Sequence, residues 1–67
     1  MAEDKLITII ADEDLSGGLR IAATQELGQR LNLGDVNTLH EIELCHGWSA
    51  ANWVAAYHLA VHEGAPF

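Results

Sequence analysis

The sequence predicts a mainly helical fold: one small domain of about three helices, near residues 14–31, 38–46 and 49–63, with a short strand before them near residues 5–11. Three observations predict it. Apolar residues recur at helical spacing through the middle and end of the chain, Gly and Asn fall between the periodic stretches, and 49% of the residues are hydrophobic, enough for a core. At 67 residues there is room for one core only, so residues 1–67 are expected to form a single compact domain.

The first element is the segment Lys5 to Ala11, K-L-I-T-I-I-A, whose β-branched Ile7, Thr8, Ile9 and Ile10 favour an extended strand. Asp12, Glu13 and Asp14 suit the start of a following helix, where the helix dipole favours carboxylates. Along that helix Ala23, Leu27 and Leu31 form one line, flanked by Ile21, Thr24 and Gly28. Gly34 is placed to end it in a left-handed conformation.

The stretch 38–46 reads two ways. Leu39, Ile42 and Cys45 suit a helix, whereas Glu41, Ile42, Glu43 and Leu44 alternate like a strand, which gives a β-α-β-α alternative if residues 39–45 are extended. Thr38 with Glu41 forms a T-x-x-E capping box and Gly47 stands where a helix would stop, which favours the helix. Ser49 then reads as the N-cap of the last helix, which Gly64 and Pro66 terminate. Its stripe of Ala50, Trp53, Val54, Tyr57, Ala60 and Val61 is expected to face the core.

Ten acidic residues against Lys5, Arg20 and Arg30 give a net charge of −7, which opposes direct binding to nucleic acid or to an anionic membrane surface. Cys45 is the single cysteine, so no intrachain disulfide can form and a reducing cytoplasm is the expected compartment. The apolar run from Leu6 to Ala11 is too short to span a bilayer and lacks the basic flank of a signal peptide, so the mature chain is expected to start near Met1.

No catalytic, phosphate-binding or cofactor motif is present, and the chain reads as a non-enzyme. Cys45 beside His46 does not make a nucleophile pair, because consecutive helical residues point about 100° apart; Cys45 is expected in the core. His58 and His62 have the spacing of two metal ligands on one helix face, but a structural site needs two more. Cys45 with His46 or His40 could supply them only if the third helix folds back on the fourth. The reading taken is an exposed or interfacial histidine pair with no metal.

The far side of the last helix carries Ala51, Ala55, His58, Leu59 and His62 in place of the usual Lys and Glu. Together with Trp48 these are the candidate protein-interface residues. The function expected is a small acidic protein-binding module, regulatory or accessory, of a size that suits viral or mobile-element proteins, working through another protein and as a homodimer. A small metal-binding module is the further alternative.

The run Thr24 to Glu43, T-Q-E-L-G-Q-R-L-N-L-G-D-V-N-T-L-H-E-I-E, is similar to the helix-turn-helix segment of small phage-repressor-like regulators. It covers less than a third of the chain. Gly28 stands where that family has a small alanine and Asn32 where it has glycine. The resemblance implies a degenerate helix-turn-helix scaffold whose recognition helix, carrying Asp35, Glu41 and Glu43 without Arg or Lys, has lost ordinary groove reading, and a degenerate helix-turn-helix-like transcriptional regulator is the second functional reading, ahead of the metal-binding module.

Overall fold

The computed structural model describes residues 2–66 as four helices: α1 (Glu3–Ala11), α2 (Gly17–Gly28), α3 (Val36–His46) and α4 (Trp48–Glu63). No strand occurs among the described residues, which corrects the expected strand at 5–11, the count of three helices and the β-α-β-α alternative. A lone strand leaves its backbone N–H and C=O groups without partners, whereas a helix satisfies them internally. Leu6, Ile7 and Ile10 are buried on one side of α1, so helical spacing outweighs β-branching. Thr8 fits because its hydroxyl donates to the Asp4 carbonyl at 2.8 Å.

The acidic stretch after α1 is a loop and not a first helical turn. The Asp12 carboxylate accepts from the Asp14 N–H at 3.0 Å, an Asx turn, and the Ser16 hydroxyl caps α2 by accepting from the Leu19 N–H at 3.4 Å. Helix α2 therefore begins at residue 17 and not 14. It stops at Gly28, three residues short of 31, where the N–H groups of Arg30 and Leu31 both close on the Leu27 carbonyl.

Gly34 does not end a helix in the left-handed region: the positive-φ glycines are Gly47 and Gly64. Asp35 caps α3 instead, accepting from the Asn37 N–H and the Thr38 hydroxyl, each at 3.3 Å. This moves the helix start forward to residue 36 and leaves the Thr38–Glu41 pair inside it. Gly47, at φ 96°, is both the end of α3 and the cap of α4, so Ser49 lies within the first turn of α4 and is not its cap. Gly64, at φ 70°, closes α4 with its N–H on the Leu59 carbonyl, as a C-terminal glycine does.

Helix α1 packs on α2, and α3 on α4; α1 and α4 meet in the middle, α1 also touches α3, and α2 touches α4. Helices α2 and α3 do not pack on each other. The segment similar to a helix-turn-helix thus folds as the end of α2, a connection at residues 29–35, and α3. That connection is longer than the turn of about 3–4 residues in the motif, and the helix-on-helix contact that defines the motif is missing.

The core is built from Leu6, Ile7 and Ile10 of α1, Ala23 and Leu27 of α2, Leu33 of the connection, Ile42 of α3, and Ala50, Ala51 and Val54 of α4. One polar side chain, Thr24, is fully buried with them. Its hydroxyl donates to the Arg20 carbonyl at 2.7 Å and accepts from the Trp53 indole N–H at 3.1 Å. Above that indole lies the Arg20 guanidinium, 3.9 Å from the ring centroid, and Arg20 Nε donates to the Ile10 carbonyl at 2.9 Å. One arginine therefore ties α1, α2 and α4 together, its charge spread over an aromatic face. Trp53 and Tyr57 pack against the core from its edge, as partly buried residues.

Candidate protein-binding surface

Two of the core assignments on α4 are exchanged. Val61, expected in the core, is exposed; Ala51, expected on the far side, is 8% exposed and belongs to the core. The reason is that α4 packs against α3 as well as α1, which buries a second flank of the helix and rotates the outward face. Cys45, expected in the core, is also exposed, because Ile42 is the one fully engaged residue of α3. The His46 Nε2 lies 3.8 Å from an Asp4 carboxylate oxygen, and Cys45 and His46 border the same cleft.

The remaining outward face of α4 begins with Trp48, 66% exposed at the first helical position. It continues through Asn52, which is exposed, and Ala55, which is half-buried. Leu59, 41% exposed, and the exposed His62 complete it. These five positions are separated by four, three, four and three residues, the spacing of a coiled-coil seam on a helix. None of the five is a carboxylate, a lysine or an arginine, in a chain whose net charge is −7.

Beside this seam runs a shallow groove of about 300 Å³ between α3 and α4. Val36 and Leu39 form its α3 wall, with His40 and Glu43 next to them, and Trp48, Ala51 and Ala55 form its α4 wall. Val36 is 76% exposed, so two large apolar side chains, Val36 and Trp48, stand at its rim. An exposed apolar pair of this kind makes the groove a candidate contact surface, and tryptophan is among the residues enriched as energetic anchors. Sequence reasoning missed Asn52 and Val36. Asn52 could have been found from the four-three spacing, whereas nothing local to Val36 signals that it faces outward.

His58 sits on the other flank of α4, half-buried, with its ring stacked near His62 at 4.4 Å between centroids and 38° between planes. The cleft around the pair is lined by Gln25, Gln29, Asn32 and Tyr57. The tip of the His58 ring fills the space over Gly34: a Cβ added there would lie 2.6 Å from His58 Nε2. Cys45, His46 and His40 are not drawn into this pair, and no group of three His, Cys, Asp or Glu side chains among the described residues is arranged to hold a metal ion. No helix among the described residues is long and apolar enough to cross a membrane.

Comparison of the chain with protein-family models, with curated proteins and with solved structures finds no significant match.

Proposed function

We propose that this chain is a small non-enzymatic protein-binding module, regulatory or accessory in kind, that acts through protein–protein contact and pairs with a second copy of itself along the outward face of α4. The observation that carries the reading is the uncharged seam Trp48, Asn52, Ala55, Leu59 and His62 on an otherwise acidic molecule. Two copies each bearing −7 repel one another at long range, and a stripe whose five positions carry no carboxylate, though Glu43 borders it and Asp12–Asp14 border its Trp48 end, is the surface on which they can approach. Asn52 lies at the second seam position, where a single buried asparagine fixes register and oligomer number by pairing with its counterpart. Trp48 and Leu59 supply the apolar burial on either side of it.

A reducing cytoplasm remains the compartment inferred, since a lone exposed thiol such as Cys45 oxidises readily elsewhere. Sedimentation equilibrium across a concentration series tests the self-association. A monomer–dimer equilibrium is expected, and Leu59→Lys should shift it to monomer without loss of helicity. A monomer at all concentrations, unaffected by the lysine, refutes the pairing.

A further inference from the structure

His58 and His62 stand one helical turn apart on α4, with ring centroids separated by 4.4 Å and planes tilted by 38°. A metal ion bound to an imidazole nitrogen at about 2.0–2.1 Å lies about 3.2 Å from the centroid of that ring. Two imidazoles that meet at such an ion at a right angle therefore have centroids about 4.5 Å apart, whereas a tetrahedral angle sets them about 5.2 Å apart. The observed 4.4 Å matches the right angle, which belongs to square-planar and octahedral ions and not to tetrahedral zinc.

The surroundings suit the other coordination positions of such an ion. The pair opens on a cleft of about 270 Å³ whose further polar lining is the neutral Gln25, Gln29, Asn32 and Tyr57. No Lys or Arg in that lining repels a cation, and no carboxylate there competes for the imidazoles. The cleft has room for an ion with waters, and side-chain amides both donate to and accept from such waters. The His58 ring faces Gly34, where an added Cβ would lie 2.6 Å from Nε2, so the lack of a side chain at residue 34 leaves that nitrogen approachable. Among the described residues no third His, Cys, Asp or Glu joins the pair, so the chain presents an open site and not a closed structural one. Cys45 and His46 border a different cleft, with Glu3, Asp4 and Glu41.

We propose that His58 and His62 chelate one divalent transition-metal ion in right-angle coordination, Ni²⁺ or Cu²⁺ in kind, with water in its remaining positions. Affinity for nitrogen donors rises through the divalent series to Ni²⁺ and Cu²⁺ and falls at Zn²⁺, so the donor chemistry favours the same ions as the geometry. The amides of Gln25 and Gln29 on α2 and of Asn32 in the connection hydrogen-bond the bound waters and link the end of α4 to α2. The ion is an exchangeable ligand, and the site belongs to the single chain, whatever pairs along the α4 seam.

The probe is Ni²⁺ alone, titrated into the full chain at about pH 8, since a ligating imidazole must be neutral. Cu²⁺ is avoided because it would oxidise the exposed Cys45. Calorimetry should give one ion per chain, and paramagnetic broadening of amide signals should centre on His58, His62 and Gly34. The melting temperature should rise and fall back with EDTA, as for any ligand of the folded state. His62→Ala, at an exposed position where circular dichroism would verify the fold, and separately His58→Ala should each weaken binding by at least about tenfold, an effect that loss of even a supporting residue around a metal produces. Zn²⁺ should bind more weakly than Ni²⁺. Trp48→Ala, at the far end of the seam, should leave the affinity unchanged, which keeps this result distinct from the fate of the α4 contact. Absence of saturable binding at millimolar Ni²⁺, undiminished binding by His62→Ala, tighter binding of Zn²⁺, or broadening centred on Cys45 and His46 would each overturn the proposal. So would one ion per two chains that is lost in Trp48→Ala, since the ion would then lie between copies.

Discussion

The indole N–H of Trp53 donates to the hydroxyl of Thr24 at 3.1 Å, and that hydroxyl is fully buried. Through this bond α4 is held to α2 at a point where few other side chains connect them. Truncation of Trp53 to alanine removes the bond, the packing and the face on which Arg20 rests. A loss of about 3–5 kcal/mol is expected, a large part of what so small a domain possesses. Thr24→Val, which keeps the volume and deletes both hydroxyl bonds, should cost about 1–3 kcal/mol. Urea unfolding followed by circular dichroism measures both. A Trp53→Ala protein as stable as the parent would remove Trp53 from the account of the fold.

Gly34 and His58 should show a reversal of sign. In the parent, Gly34→Ala places a methyl 2.6 Å from His58 Nε2, so the ring must move and the protein should lose stability by about 1 kcal/mol or more. In a His58→Ala background that obstruction is gone. Gly34 is not among the positive-φ residues, so alanine there should then stabilise by about 0.4–1 kcal/mol through the unfolded state. A double-mutant cycle reads the coupling directly. Equal effects in both backgrounds would show that the close approach has no energetic weight.

Two other glycines should respond oppositely to the same change. Gly47 is at φ 96°, a region that costs a side chain about 1–3 kcal/mol, so Gly47→Ala should lower the melting temperature. Gly18 lies in the first turn of α2, with nothing within 4 Å of an added Cβ. Gly18→Ala should raise stability by about 0.5–1 kcal/mol. Thermal scans of the two variants side by side check this.

Where sequence and structure part, the reasons are physical and local. The last helix was readable to its final residue, because Glu63 is followed by Gly64, whose left-handed conformation is a signal carried by residue type alone. The first element was not, since β-branched Ile7, Ile9 and Ile10 report how a side chain prefers to pack and not whether a neighbouring strand exists. The cap of α3 was misplaced by three residues, as Asp35 and Thr38 are both good caps and only the fold selects Asp35. Of the candidate surface, Trp48, Ala55, Leu59 and His62 were legible from composition. Ala51 was not, because its burial depends on α3 packing against α4, a long-range fact that helical periodicity does not contain.

The absence of any packing between α2 and α3 bears on how the chain assembles. Helices α1 and α2 adjoin in sequence, as do α3 and α4, so each pair can zip up locally before the other exists, with little loop-closure entropy lost. The step that couples them is the docking of α1 on α4, which brings Ile10 and Val54 into one core. Leu33, buried in the connecting segment, belongs to that same core. Substitutions at the α1–α4 contact should therefore slow folding most, while those within either pair should chiefly hasten unfolding.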